Sequence, residues 1–394
     1  MGGVRDAFLM LLRAGLWGRD PMEEGFRRLG DEEWEHVFKM SGRQTVSGIV
    51  FDGICRLPDE FQPSQTIFAK WVAATDRIER GNRRMNAVLR ELTGMFVSGG
   101  LQPVLQKGQG VAALYPEPLH RECGDIDLYF PEGLSLRLAQ RPDNVAQRPN
   151  AESAEASEMT ENGKAVELVR SRGAKVETMP DGSQTYEWKG IEIEQHPTIV
   201  DLCSPAARKW IKGLDGDPGY VPSDLAEGLR VPSQELNALL LNSHILKHTL
   251  GKGIGLRQMC DLAMEYHRIC EDGRREDCGG RIFNLYKRAG ILKWSRLLHS
   301  FLVGIIGLPE EELPYSERIV SAEPLMRIVE DGGNFGQYRG ECSESSGRFD
   351  RLSDRKRKLK TAGMFLRRAG FSMRFAPKEA FWTFWELVMG QFRK

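Results

Sequence analysis

Gly124-Asp125-Ile126-Asp127-Leu128 constrains this chain more than any other stretch. In an extended strand successive side chains point to opposite faces. Asp125 and Asp127 therefore project together, while Ile126 and Leu128 pack on the reverse side. Two carboxylates held side by side repel each other unless something neutralises them. A divalent cation is the usual remedy, and hard oxygen ligands suit Mg²⁺. Just upstream, the apolar Val104 and Leu105 lead into Lys107-Gly108. A Lys-Gly turn can hold phosphates, with the ammonium as a point charge and backbone N–H groups exposed by the missing side chain. Cation and phosphate binders in one short segment point to nucleotide chemistry.

The elements around this segment follow from periodicity. Pro103–Gln106 reads as a strand and 109–114 as a helix. Tyr115-Pro116-Glu117-Pro118 reads as a loop, because each proline disfavours helix before it. Gly124–Phe130 is a second strand, stopped by Pro131-Glu132-Gly133. Residues 1–100 read as helical. Asp31 is expected to cap a helix whose apolar face carries Trp34, Val37 and Phe38. A longer helix spans 67–97 with Met85, Val88, Leu89, Leu92, Met95 and Phe96 at helical spacing, and Gly99-Gly100 ends it. Its arginines (Arg77, Arg80, Arg83, Arg84, Arg90) form a solvated face. Residues 141–161 hold almost no large apolar side chain and read as a flexible insertion. Residues 165–172 form a short helix. Alternating runs at 175–179, 184–189 and 191–196 flank a turn at Pro180-Asp181-Gly182, a hairpin signal.

In the last of these runs Ile191 and Ile193 face inward, and Glu192, Glu194 and His196 share the other face. An edge strand with a polar outer face would look the same. From Pro232 onward helices are expected at 234–250, with Ser233 as cap, then at 256–270, 280–305, 321–330, 351–369 and 377–392. The last carries an apolar stripe of Phe381, Phe384, Trp385, Val388 and Phe392, suited to core packing. The fold class is α+β: a small mixed β-sheet core over 101–230, flanked by helical regions at 1–100 and 231–394.

Composition narrows the function classes. With 55 basic and 55 acidic residues the chain has no global attraction to nucleic acid or anionic membrane. The one dense basic cluster, Arg355-Lys356-Arg357-Lys358 with Lys360, Arg367 and Arg368, reads as a solvated helix face. Gly332-Gly333-Asn334-Phe335-Gly336 lacks the strand–helix context of a P-loop and reads as a turn. Seven scattered cysteines without a Cys-x-x-Cys pair imply reduced thiols and a cytoplasmic setting. The apolar run from Ala7 to Trp17 is interrupted by Arg13 and is too short to span a bilayer, so no membrane partner is expected. His244 and His248 share a helix face but lack a third ligand for zinc.

The order of strand, Lys107-Gly108, helix, Tyr115-Pro116, Arg121 and Gly124-Asp125-Ile126-Asp127-Leu128 resembles a bacterial family of largely uncharacterised nucleotidyltransferases within the DNA polymerase β-like superfamily. Gln109 stands where the superfamily's usual signature has Gly or Ser, and the gap to Asp125 is longer; both look like the family's own variant. His248 and Gly253-Ile254-Gly255-Leu256-Arg257-Gln258-Met259-Cys260-Asp261-Leu262 resemble a second family motif. Glu194-Gln195-His196 resembles the family's acidic-x-His strand. The resemblance implies Glu194 as the third acid, with Glu192 as the alternative, and two Mg²⁺ ions (or Mn²⁺) on Asp125, Asp127 and Glu194. It implies nucleotide phosphates on Lys107, Gly108, Arg121 and Arg257, with Asp261 holding Arg257, its neighbour four residues back on one helix. His196 would orient the acceptor or take its proton. The implied reaction transfers a nucleoside monophosphate from an NTP to a hydroxyl on a small molecule, protein or RNA. Two other classes stay open: a catalytically inactive nucleotide- and metal-binding relative, and a toxin–antitoxin-type transferase acting on RNA or protein.

Overall fold

A computed structural model describes residues 2–22, 25–26, 29–133, 159–214, 219–251, 253–319, 321–332 and 368–392. Residues 141–158 of the expected insertion, 351–367 of the expected helix with all of the basic cluster but Arg368, and Gly333 to Gly336 lie outside the described residues. Arg368 is buried rather than solvated and donates to the Thr249 carbonyl at 3.0 Å. Four helices come first: α1 (Gly2–Trp17), α2 (Asp31–Arg43), α3 (Ser47–Ile54) and α4 (Gln65–Ser98). The cap of α2 differs from expectation. Gly30 is the cap residue, and its N–H donates to the Glu33 carboxylate at 3.0 Å. Asp31 is already helical, where its charge faces the positive end of the helix dipole.

The α4 stripe of Met85, Val88, Leu89, Leu92 and Phe96 is buried. Each of these side chains contributes roughly 1.5–3 kcal/mol by leaving water. The five arginines of α4 named above are all exposed. Gly100, at φ +76, turns the chain out of the helix and into the sheet.

The sheet region runs β1 (Val104–Gln106), α5 (Gly108–Ala112), β2 (Ile126–Tyr129), α6 (Glu161–Ser171), β3 (Glu177–Thr178), β4 (Gln184–Trp188), β5 (Ile191–His196), α7 (Pro205–Ile211), β6 (Tyr220–Pro222) and β7 (Arg230–Pro232). The strands form one mixed seven-stranded sheet in the order β3-β4-β5-β2-β1-β7-β6. The β2–β5 and β1–β7 pairs are parallel and the others antiparallel. The hairpin at Asp181-Gly182 forms as expected, though its first strand shrinks to two residues. Strands β6 and β7 and helix α7 are additions to the expected order.

Alternation along the strands sorts side chains into two cores. Leu105, Ile126, Leu128 and Ile193 join the α4 stripe and Ala165 and Val169 of α6. Val104 and Tyr129, on the opposite face, join the larger core built with the remaining helices. Those are α8 (Gln234–Leu250), α9 (Leu256–Glu271), α10 (Arg275–Ala289), α11 (Leu292–Phe301), α12 (Glu323–Gly332) and α13 (Ala369–Phe375). The last helix, α14 (Pro377–Phe392), departs from expectation: Phe381, Phe384 and Trp385 of its apolar stripe are exposed rather than packed in the core. The single helix expected over 280–305 is instead two. Gly290 takes a left-handed conformation (φ +77) that ends α10, and a π-turn at Leu302–Ile306 follows α11. Among the described residues no helix is long and apolar enough to cross a membrane. All six described cysteines are free thiols.

Candidate active site

The floor of the site is β2 beside β5. Parallel pairing sets Asp127 opposite Glu194 and Tyr129 opposite His196. Register partners on adjacent strands share a face, so Asp127, Glu194 and His196 gather on the side away from α4. Their ligand atoms all lie within 4.8 Å of one another. Asp125 stands one residue before β2 rather than within it, yet it reaches the same cavity.

Lys107 joins this cluster through an unusual backbone. At φ +47 and ψ −142 it sits in a region that non-glycine residues rarely occupy, at a cost of about 1–3 kcal/mol. Gly108 follows with φ +46. The turn brings the Lys107 ammonium within 3.2 Å of Asp127 Oδ1. His196 Nε2 lies 2.6 Å from the same oxygen. An ionised carboxylate only accepts, so the imidazole N–H is the donor.

Burial works against the Asp127 charge, but Lys107 and His196 outweigh it and hold this carboxyl well below the usual range. Asp125 goes the other way. The neighbouring Asp127 charge, then burial, push its carboxyl up to about 6. Environments that split two adjacent acids in this way are a recurring feature of functional sites.

The roof comes from the helical region. A cavity of about 470 Å³ is bounded below by Asp125, Asp127, Glu192 and Glu194, with Lys107 and Gly108 at its edge. Leu241, His244, Ile245 and His248 of α8 and Arg257, Gln258 and Asp261 of α9 close it from above. Gly42 and Thr45, at the end of α2, complete the wall. A volume of this size suits a nucleotide-sized ligand.

Arg257 is 8% exposed; its Nη1 donates to the Glu122 carbonyl at 2.6 Å, and its Nε has no partner. Burial, then the nearby Arg121 charge, lower its pKa. A buried guanidinium held only by a carbonyl is an anion receptor in waiting.

The family comparison now has a geometry to meet. The model of a family described as an uncharacterised nucleotidyltransferase matches residues 30–276. The chain belongs to that nucleotidyltransferase family. No curated protein and no solved structure matches the chain.

The matched span carries every candidate site residue named from the sequence. Asp125, Asp127, Glu194, Lys107, Gly108, Arg121, Arg257, His248 and Asp261 all line the one cavity, and His196 is bonded to Asp127 within it. One expected pairing is different. Asp261 does not hold Arg257. It takes Arg121 in a two-pronged ion pair, with Nε at 3.0 Å and Nη2 at 2.6 Å, and accepts the Tyr115 hydroxyl at 2.8 Å. Arg121 is thereby committed to tying the loop before β2 to α9.

Two groups escaped the sequence reading. His244 had been grouped only with His248. Burial, then Lys107 and His248, push its pKa well below the ordinary imidazole range, and it lines the same cavity as the acids. The second is His120, next to Arg121 on the loop before β2. It bridges Asp52 of α3 at 2.6 Å and Glu79 of α4 at 3.0 Å. No local pattern marks either contact, because both partners come from distant segments.

Proposed function

We propose that this chain transfers a nucleoside monophosphate from an NTP to an acceptor hydroxyl, in a site that uses Mg²⁺ or Mn²⁺. The acids fit such an ion: carboxylate oxygens are hard donors, and the low Asp127 pKa keeps one of them ionised at any physiological pH. Bound cations would neutralise the phosphate tail and lower the pKa of the attacking hydroxyl.

In this reading Asp125, Asp127 and Glu194 are the protein's cation ligands. Lys107, Gly108 and Arg257 bind the triphosphate. The acceptor hydroxyl gives up its proton to Glu194 as its oxygen attacks the α-phosphorus, the bond to the β-phosphate oxygen breaks, and pyrophosphate departs with the charge that Lys107 and Arg257 balance. Catalysis is then a matter of position and charge rather than of a covalent intermediate. The Lys-Gly turn beside an Asp-x-Asp strand also supports a polymerase β-like core.

The observation that carries the reading is the parallel register of Asp127 with Glu194, beside Lys107 and under a partly unpaired Arg257. The test is Asp127→Asn. It should abolish cation-dependent pyrophosphate release from every NTP offered with a cell extract while the far-ultraviolet circular dichroism stays unchanged. Turnover equal to that of the parent would refute the assignment.

A further inference from the structure

The two ring nitrogens of His196 face different acids. Nε2 donates to Asp127 Oδ1, and Nδ1 lies 3.8 Å from Glu194 Oε1. We propose that His196 is itself a metal ligand, binding through Nδ1 together with Glu194, so that the centre selects a transition-metal dication over Mg²⁺. This rests on the reading of the cavity as a cation-dependent nucleotidyl-transfer site and names which cation it prefers.

The argument begins with tautomers. A neutral imidazole that donates from Nε2 carries its lone pair on Nδ1. In that tautomer the histidine carries no N–H on the side where a carboxylate oxygen of Glu194 lies 3.8 Å from Nδ1. Two such atoms at 3.8 Å are spaced for a shared ion, since two metal–ligand bonds of about 2.1 Å reach that span at an open angle.

The hydrogen bond to Asp127 fixes the ring plane and the tautomer, the service that a carboxylate commonly performs for a ligating histidine. Asp127 Oδ1 is occupied by His196 and Lys107.

Independent of these acids, the Arg257 Nε is buried in the same cavity without a partner, which calls for an anionic ligand delivered beside the cation. Among the described residues Asp127, Glu194 and His196 each bring one ligand atom within 4.8 Å of the others, close enough to share an ion.

Donor chemistry then decides the ion. An all-oxygen site accepts either Mg²⁺ or Mn²⁺, whereas an imidazole donor shifts the preference further toward first-row transition ions. Mg²⁺ also gives up its water reluctantly for nitrogen.

The experiment uses the full chain and Mn²⁺ as probe. Binding of Mn²⁺ and of Mg²⁺ is measured by titration calorimetry, and bound Mn²⁺ is examined by electron spin-echo spectroscopy for coupling to ¹⁴N. Mn²⁺ should bind at least about tenfold more tightly than Mg²⁺, and the preference should fall to within about threefold in His196→Asn. The ¹⁴N coupling should be present in the parent and lost in that variant. Bound Mn²⁺ without ¹⁴N coupling in the parent overturns His196 as a ligand and leaves the nucleotidyl-transfer reading standing. Retention of neither ion overturns both. Absence of the coupling in the parent decides against His196 even where the variant does not fold; its presence is assigned to His196 rather than His244 or His248 by its loss in His196→Asn.

Discussion

Asp127 and Glu194 are register partners on two adjacent parallel strands. That relationship fixes the character of the site. Neighbouring strands lie about 4.8 Å apart, so two acids at matched positions cannot avoid each other. The chain meets the resulting repulsion with Lys107 and His196 on one Asp127 oxygen, and leaves Asp125 with its carboxyl raised to about 6.

Arg257 should be worth more to binding than to folding. Its guanidinium has a carbonyl partner and an unpaired Nε. Replacing such a group with an apolar side chain of similar length removes a desolvation cost. Arg257→Met is expected to leave the thermal midpoint unchanged or higher. Nucleotide affinity should fall about 10- to 100-fold, or roughly 1.4–2.7 kcal/mol, by titration calorimetry with a non-hydrolysable NTP. A stability loss above about 2 kcal/mol would place Arg257 in the scaffold instead.

Arg121 and Asp261 should behave in the opposite way. Both are nearly inaccessible, at 4% and 2% exposure, and they share two short hydrogen bonds. Removing one partner strands a buried charge, so Asp261→Asn is expected to cost about 3–5 kcal/mol in urea unfolding. The double variant Arg121→Met, Asp261→Leu should lose less than the sum of the single changes. Additivity would mean the pair is not coupled.

His120 ties the loop before β2 to α3 and α4 in a pH-dependent way. Its hydrogen bond to Asp52, opposed by burial and helped by Glu79, raises its pKa to about 9. The unfolded value is near 6.5, so the folded state binds the proton more tightly. The stabilisation is complete below about pH 6.5 and disappears as pH rises through about 9. Thermal midpoints of the parent and His120→Asn should differ at pH 6 and converge by about pH 9.5. A constant gap across that window would show that His120 contributes by packing alone.

The crossing of α1 and α3 depends on two glycines. A Cβ at Gly53 would lie 2.1 Å from the Leu11 carbonyl oxygen, and one at Gly15 would lie 1.8 Å from that of Ile49. Gly53→Ala forces the helices apart and should cost about 1–3 kcal/mol. Gly81, in the interior of α4, meets nothing within 4 Å, so Gly81→Ala should stabilise by about 0.5–1 kcal/mol through helix propensity. Chemical denaturation of the two variants side by side checks both signs.

Much of the site was legible because strand alternation is a local property. Asp125 and Asp127 on one side, Ile126 and Leu128 on the other, and the Glu192, Glu194, His196 face all follow from a two-residue period that needs no knowledge of neighbours. The helical stripe of α4 was legible for the same reason, with a different period. The Asp261 pairing was not. Helix spacing offered Arg257, four residues away, and the fold supplied Arg121, 140 residues away. The short strands β6 and β7, three residues each, carry too little pattern to be seen.

From the sequence alone came the acid pair, the Lys-Gly turn and the faces on which each candidate side chain stands, since those depend on backbone geometry within a few residues. Tertiary structure alone decided that β5 lies parallel to β2 with Glu194 opposite Asp127, that α8 and α9 cover them, and that Asp261 belongs to Arg121. Those outcomes turn on which distant surfaces bury one another, and no periodicity within a single segment encodes them.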